Sequence, residues 1–131
     1  AVSKGWFLTL SASGEKAVSG AVTVFGTTFF TTNRPTPPAP GVCSSNLGEA
    51  RLYAVGFELG AARLDLNADG VIDEYDLYEV VKGGGFLPQP VYSPVEIDGK
   101  TVDVVCTGSK CFSPGASKSS TERYRTYWYV E

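Results

Sequence analysis

Histidine and methionine are missing altogether from this chain of 131 residues. The first absence removes the commonest general base and the commonest zinc ligand. The second means that Ala1 is not a translation start, so the sequence is expected to be a processed product or a piece of something longer. Cations are scarce too: 11 Lys and Arg against 14 Asp and Glu leave a net charge of -3. That balance excludes nucleic acid as a partner, because phosphate binding needs clustered basic side chains. No apolar run is long enough for a membrane-crossing helix, and no basic-then-apolar stretch opens the chain.

Cysteine is sparse and odd in number, at Cys43, Cys106 and Cys111, so at most one bridge closes within the chain. Cys106 and Cys111 flank Thr-Gly-Ser-Lys, a turn-like tetrapeptide that lets the two sulfurs meet. This spacing predicts a local disulfide, with Cys43 free or paired outside the segment. An extracellular, oxidising setting goes with it. A structural metal site built on thiols needs more ligands than these.

What is present points to strands. The composition is 43% hydrophobic and 19% charged, ordinary for a folded protein, and the length is that of one domain spanning residues 1–131. Glycine and proline are plentiful (15 and 8), while Thr, Val, Phe and Tyr recur in short runs. Extended segments are expected at residues 5–10, 17–25, 28–32, 47–59, 90–97, 100–106 and 123–130. Gly26-Thr27 and Asp98-Gly99 mark tight hairpin turns. Four prolines within residues 33–41 cannot enter a sheet interior and predict a stiff surface loop. Residues 75–81 are expected to form one or two helical turns, stopped by Gly83-Gly84-Gly85. The fold class is therefore all-β and antiparallel, with one short helical insert at about residues 65–85.

That insert carries the most specific pattern in the chain. A twelve-residue calcium loop needs oxygen donors at positions 1, 3, 5, 7, 9 and 12, with glycine at 6. Asp65, Asn67 and Asp69 fall at the first three, and Gly70 at the sharp turn. Val71 contributes its backbone carbonyl, Asp73 sits at position 9, and Asp76 closes the set at position 12. Ile72 is expected to anchor the loop to the core. Without a cation these carboxylates repel one another, which disfavours a plain solvated turn. Position 12 is Asp rather than the usual Glu, so its reach for two-oxygen ligation is shorter. Cellulosomal dockerin loops, which this stretch resembles, also carry Asp there. The oxygen-rich set favours calcium over magnesium. The loop stands alone, so it is expected to act as a structural clip in a β fold rather than as a paired sensor.

Several phrases are similar to the C-terminal region of the PilY1/PilC family, the tip-associated adhesins of bacterial type IV pili. They are Gly5-Trp6-Phe7, Gly14-Glu15-Lys16, Phe29-Phe30-Thr31-Thr32-Asn33-Arg34-Pro35-Thr36-Pro37, Cys43-Ser44-Ser45-Asn46-Leu47-Gly48, Leu52-Tyr53-Ala54 and the closing Tyr124-Arg125-Thr126-Tyr127-Trp128-Tyr129. The resemblance implies the last blades of a β-propeller, located at the pilus tip or outer membrane. It also implies calcium-linked pilus extension and retraction, surface or host-receptor attachment, and minor pilins or the tip complex as partners. No Arg-Gly-Asp triplet is present, so integrin binding does not transfer.

Two other functions compete with this reading. Catalysis is not expected: there is no nucleophile elbow and no phosphate-cradling loop, and the grouped carboxylates suit metal ligation better than acid–base work. A secreted, calcium-stabilised carbohydrate-binding or structural module is the alternative, with Trp6, Tyr127, Trp128 and Tyr129 as stacking candidates. Such alternating aromatics more often form cross-strand pairs.

Overall fold

The computed structural model describes residues 5–43 and 45–114. The strand expected at 123–130, with its Tyr127, Trp128 and Tyr129, lies outside the described residues.

Two antiparallel sheets make up the fold. The larger contains β1 (Lys16–Ala17), β2 (Val22–Val24), β3 (Thr27–Arg34), β4 (Glu49–Gly56) and β5 (Tyr78–Val81). Its order is β1-β3-β4-β5, with β2 also pairing along β3. The smaller has β6 (Val91–Ile97), β7 (Lys100–Thr107) and β8 (Lys110–Phe112), in that order. The Asp98-Gly99 turn forms as expected, while the first hairpin turns one residue earlier than expected, at Phe25-Gly26, with Thr27 already in β3. Phe25 and Gly26 sit at φ 49° and 74°, and Asp98 and Gly99 at 52° and 73°. Two consecutive residues with positive φ match the right-handed twist of the flanking strands.

Alternation along the strands sorts their side chains. Phe29 on β3 and Ala50, Leu52 and Ala54 on β4 face the smaller sheet, where Val105 and the partly buried Tyr92 and Phe112 meet them. The Phe29 and Phe112 rings lie 5.8 Å apart, as do Phe25 and Tyr92. The opposite face of the larger sheet carries an aromatic row, Phe30, Tyr53 and Tyr78, with centroids 4.9 and 5.1 Å apart. Beside it the buried Glu15 carboxylate accepts from Thr32 Oγ1 at 2.6 Å, Tyr53 Oη at 2.8 Å and Arg51 Nη1 at 3.0 Å. Burial, then the bond to Glu15, pushes the Tyr53 phenol well above its ordinary range.

Two expectations need correction. Residues 75–81 do not continue as a helix: the helical part is a single 3-10 turn, Glu74–Asp76, and Tyr78–Val81 is strand β5. The free edge of β4 supplies a ladder, pairing Tyr53 with Tyr78 and Ala50 with Val81, and this outweighs any local helical preference. Residues 5–10 join neither sheet. Trp6 instead pins this segment by donating from Nε1 to the Phe57 carbonyl at 2.8 Å.

Cys106 and Cys111 form the expected disulfide across the β7–β8 hairpin, and Cys43 is free and exposed. Among the described residues no helix is long and apolar enough to cross a membrane.

Candidate metal centre

The acidic loop is the connection between two neighbouring strands. After β4, an isolated bridge pairs Val55 with Ala62, and Gly56 N–H donates to the Ala61 carbonyl at 2.7 Å. At the far end, Ala54 N–H donates to the Leu77 carbonyl at 3.1 Å just before β5 begins. Residues 65–76 are therefore held from both sides against one strand of the core.

Within the loop, side-chain oxygens are aimed inward by the backbone amides they accept from. Asp65 takes Asp69 N–H on Oδ1 and Gly70 N–H on Oδ2, at 3.2 and 2.9 Å. Asn67 Oδ1 shares the Asp69 amide at 2.9 Å, while its Nδ2 donates to Asp69 Oδ2 at 2.9 Å. Asp69 Oδ1 accepts from Val71 N–H at 2.8 Å. These bonds need the chain to reverse tightly, and Ala68 and Gly70 do so with φ of 61° and 85°.

Asp76 differs from the rest because it is fully buried. Its Oδ1 accepts from Leu66 and Asn67 N–H at 2.9 and 3.2 Å, and its Oδ2 from Asp73 N–H at 3.1 Å. The Asp73 amide, followed by those of Asn67 and Leu66, holds the Asp76 carboxyl below the usual carboxylate range against the opposing effect of burial. Asp73 and Asp76 also form a capping box around the 3-10 turn, with Asp73 Oδ1 accepting from Tyr75 N–H at 2.9 Å.

Asp65, Asp69 and Asp76 converge: each offers a carboxylate oxygen, and these oxygens all lie within 4.8 Å of one another. Such a group can hold a metal ion. Every donor in it is a carboxylate oxygen, the hard set that oxygen-seeking cations prefer over zinc or copper. Of the other predicted ligands, Asn67 is bonded to the Asp69 carboxylate, Val71 follows it through its amide, and Asp73 caps the adjoining turn.

Ile72 does not anchor the loop in the core; it is 54% exposed. Leu64 and Leu66, which precede and interleave the first ligand positions, pack against the core cluster instead. Their alternation around Asp65 was the sequence signal for this.

No protein-family model, no curated protein and no solved structure matches the chain.

Proposed function

We propose that residues 65–76 bind one calcium ion, and that the chain serves as a calcium-clipped β segment of a type IV pilus tip adhesin. The convergence of Asp65, Asp69 and Asp76 carries the calcium half of this reading. The ion would be held by Asp65, Asn67, Asp69, the Val71 carbonyl, Asp73 (directly or through a water) and Asp76. It supplies positive charge where several carboxylates crowd together. The chain's own part is to orient those oxygens through backbone amides and to bury Asp76 at the end nearest the core.

Clipping the first ligand to the last ties the middle of the β4–β5 connection to its end next to β5. An ion that binds the folded loop and not the unfolded chain raises stability by mass action. The pilus half rests on the sequence resemblance over the N-terminal half and the closing residues. Antiparallel strands joined by tight turns are the stuff of propeller blades, and a disulfide suits an extracellular site. On this reading the partners are minor pilins or the tip complex and a surface or host receptor, and the activity is attachment and pilus assembly or retraction. The carbohydrate-binding alternative draws less support, because Trp6 is tied to Phe57 and packs on Gly60.

Thermal melts in calcium, in magnesium and in excess chelator test the ion. A midpoint several degrees higher in calcium than in chelator, with a smaller rise in magnesium, is expected. Superimposable melts in calcium and chelator sink the calcium reading. Capture of purified minor pilins by the immobilised chain tests the pilus reading, which fails if a full set of them passes unbound.

A further inference from the structure

Beside the acidic loop runs a groove of about 310 Å³ whose apolar lining is Ala61, Ala62, Ile72 and Leu77, with Asp73 and Glu74 along its lip. Both walls are secured to β4: Ala61 and Ala62 through the Gly56 bond and the Val55 bridge, Leu77 through its carbonyl and Ala54. The groove is thus preformed rather than a gap between independent loops. Gly60 contributes to one end, where a Cβ would come within 2.4 Å of the Trp6 ring, so the indole lies directly against that end. Ile72 is an apolar side chain left 54% exposed on this wall.

The charge of the lip decides what the groove accepts. Glu74 is exposed and makes no ion pair among the described residues, whose ion pairs join Arg51 to Glu15 and Glu49, and Lys110 to Glu79. Of the cations flanking it in sequence, neither Arg63, whose guanidinium lies against Gly26, nor Lys82 lines the groove. Glu74 is also outside the calcium ligand set, so its charge persists whether or not an ion is bound. An apolar floor under an acidic lip that no cation among the described residues pairs with matches a side chain with an aliphatic stem and a cationic head.

We infer that this groove is a docking site for a lysine- or arginine-bearing apolar segment of a partner protein, the stem lying on Ala62, Ile72 and Leu77 and the head at Glu74. Asp73, also on the lip, belongs to the proposed ion ligands, so the head is assigned to Glu74 alone.

The test is an amide NMR titration of the labelled whole chain with two probes, acetyl-Leu-Lys-Leu-Lys-Leu-amide and its Glu-for-Lys counterpart. Done in chelator and again in calcium, it separates the groove from the ion site, which reports through the Asp65 to Gly70 amides. The lysine peptide is expected to shift Ala61, Ala62, Ile72 and Leu77. It should bind about fivefold more tightly than the glutamate peptide, as one partly exposed charge pair allows, and more weakly as salt rises. Glu74→Gln should reduce that preference, and Ala61→Phe, which fills the groove, should abolish binding of both. Equal affinities for the two peptides, or shifts scattered over other acidic surface, would overturn the proposal. Should Ala61→Phe fail to fold, Glu74→Gln at an exposed position still decides: an unchanged preference refutes the role of the lip.

Discussion

The Asp76 carboxylate and the Leu66 amide, ten residues apart in sequence, are joined by a 2.9 Å hydrogen bond in the buried end of the acidic loop. Together with the bonds from Asn67 and Asp73, it makes one side chain the common acceptor for both ends of the loop. Position 12 of the calcium pattern therefore has a structural duty that is already discharged by backbone amides.

Replacing Asp76 by Ala should lower the melting midpoint by several degrees even in chelator, since three amides lose their acceptor. The pH dependence has a definite sign. A carboxyl held lower in the folded state stabilises above its unfolded value and loses that contribution as pH falls. In chelator, acid titration of the wild type should show stability falling from about pH 4 downward. Asp76→Asn should flatten that limb, and a variant with an unchanged acid limb would show that other carboxyls govern it.

Glu15 should be among the costliest positions outside the loop. Its carboxylate is fully buried and accepts from Thr32, Arg51 and Tyr53, so Glu15→Leu strands all three donors. Removing one member of a buried pair costs about 3 kcal/mol. Urea denaturation measures it, and the double variant Glu15→Leu/Arg51→Met should recover part of the loss. A near-zero effect of the single change would mean that Glu49, which also pairs with Arg51, is sufficient by itself.

The disulfide closes a short loop, with a sequence separation of 5. Loop-closure entropy for so few residues corresponds to about 2 kcal/mol. Cys106→Ala/Cys111→Ala should lose roughly that amount in urea melts while keeping the β6–β7 hairpin, whose register runs from Val91–Cys106 to Ile97–Lys100 without the bridge. Loss of the β6–β7 amide pattern in NMR would show that the hairpin depends on the crosslink.

Much of the architecture was legible because its signals are local. Asp98-Gly99 between two valine-rich runs specifies a hairpin through backbone conformation alone, and the six-residue frame around Thr-Gly-Ser-Lys brings Cys106 and Cys111 together for the same reason. The spacing from Asp65 to Asp76 likewise puts its side chains around one turn of chain. Tyr78–Val81 is not legible as a strand because nothing in its own residues says that the edge of β4 is waiting for it. Glu15 was hidden in a stretch that reads as a polar turn; its burial depends on Arg51 and Tyr53, more than thirty residues away.

By itself, the amino-acid sequence determined the strand-rich class, the two hairpin turns, the local disulfide and the oxygen-donor frame of the loop. Each depends on the chemistry of a few neighbouring residues and on backbone angles they can adopt. Tertiary structure alone decided which carboxylates converge, that Asp76 is buried and Ile72 is not, and that a groove with an acidic lip lies beside the loop. Those outcomes depend on how a connection between β4 and β5 lies across a sheet built from distant segments, and burial is a property of that packing rather than of any residue in it.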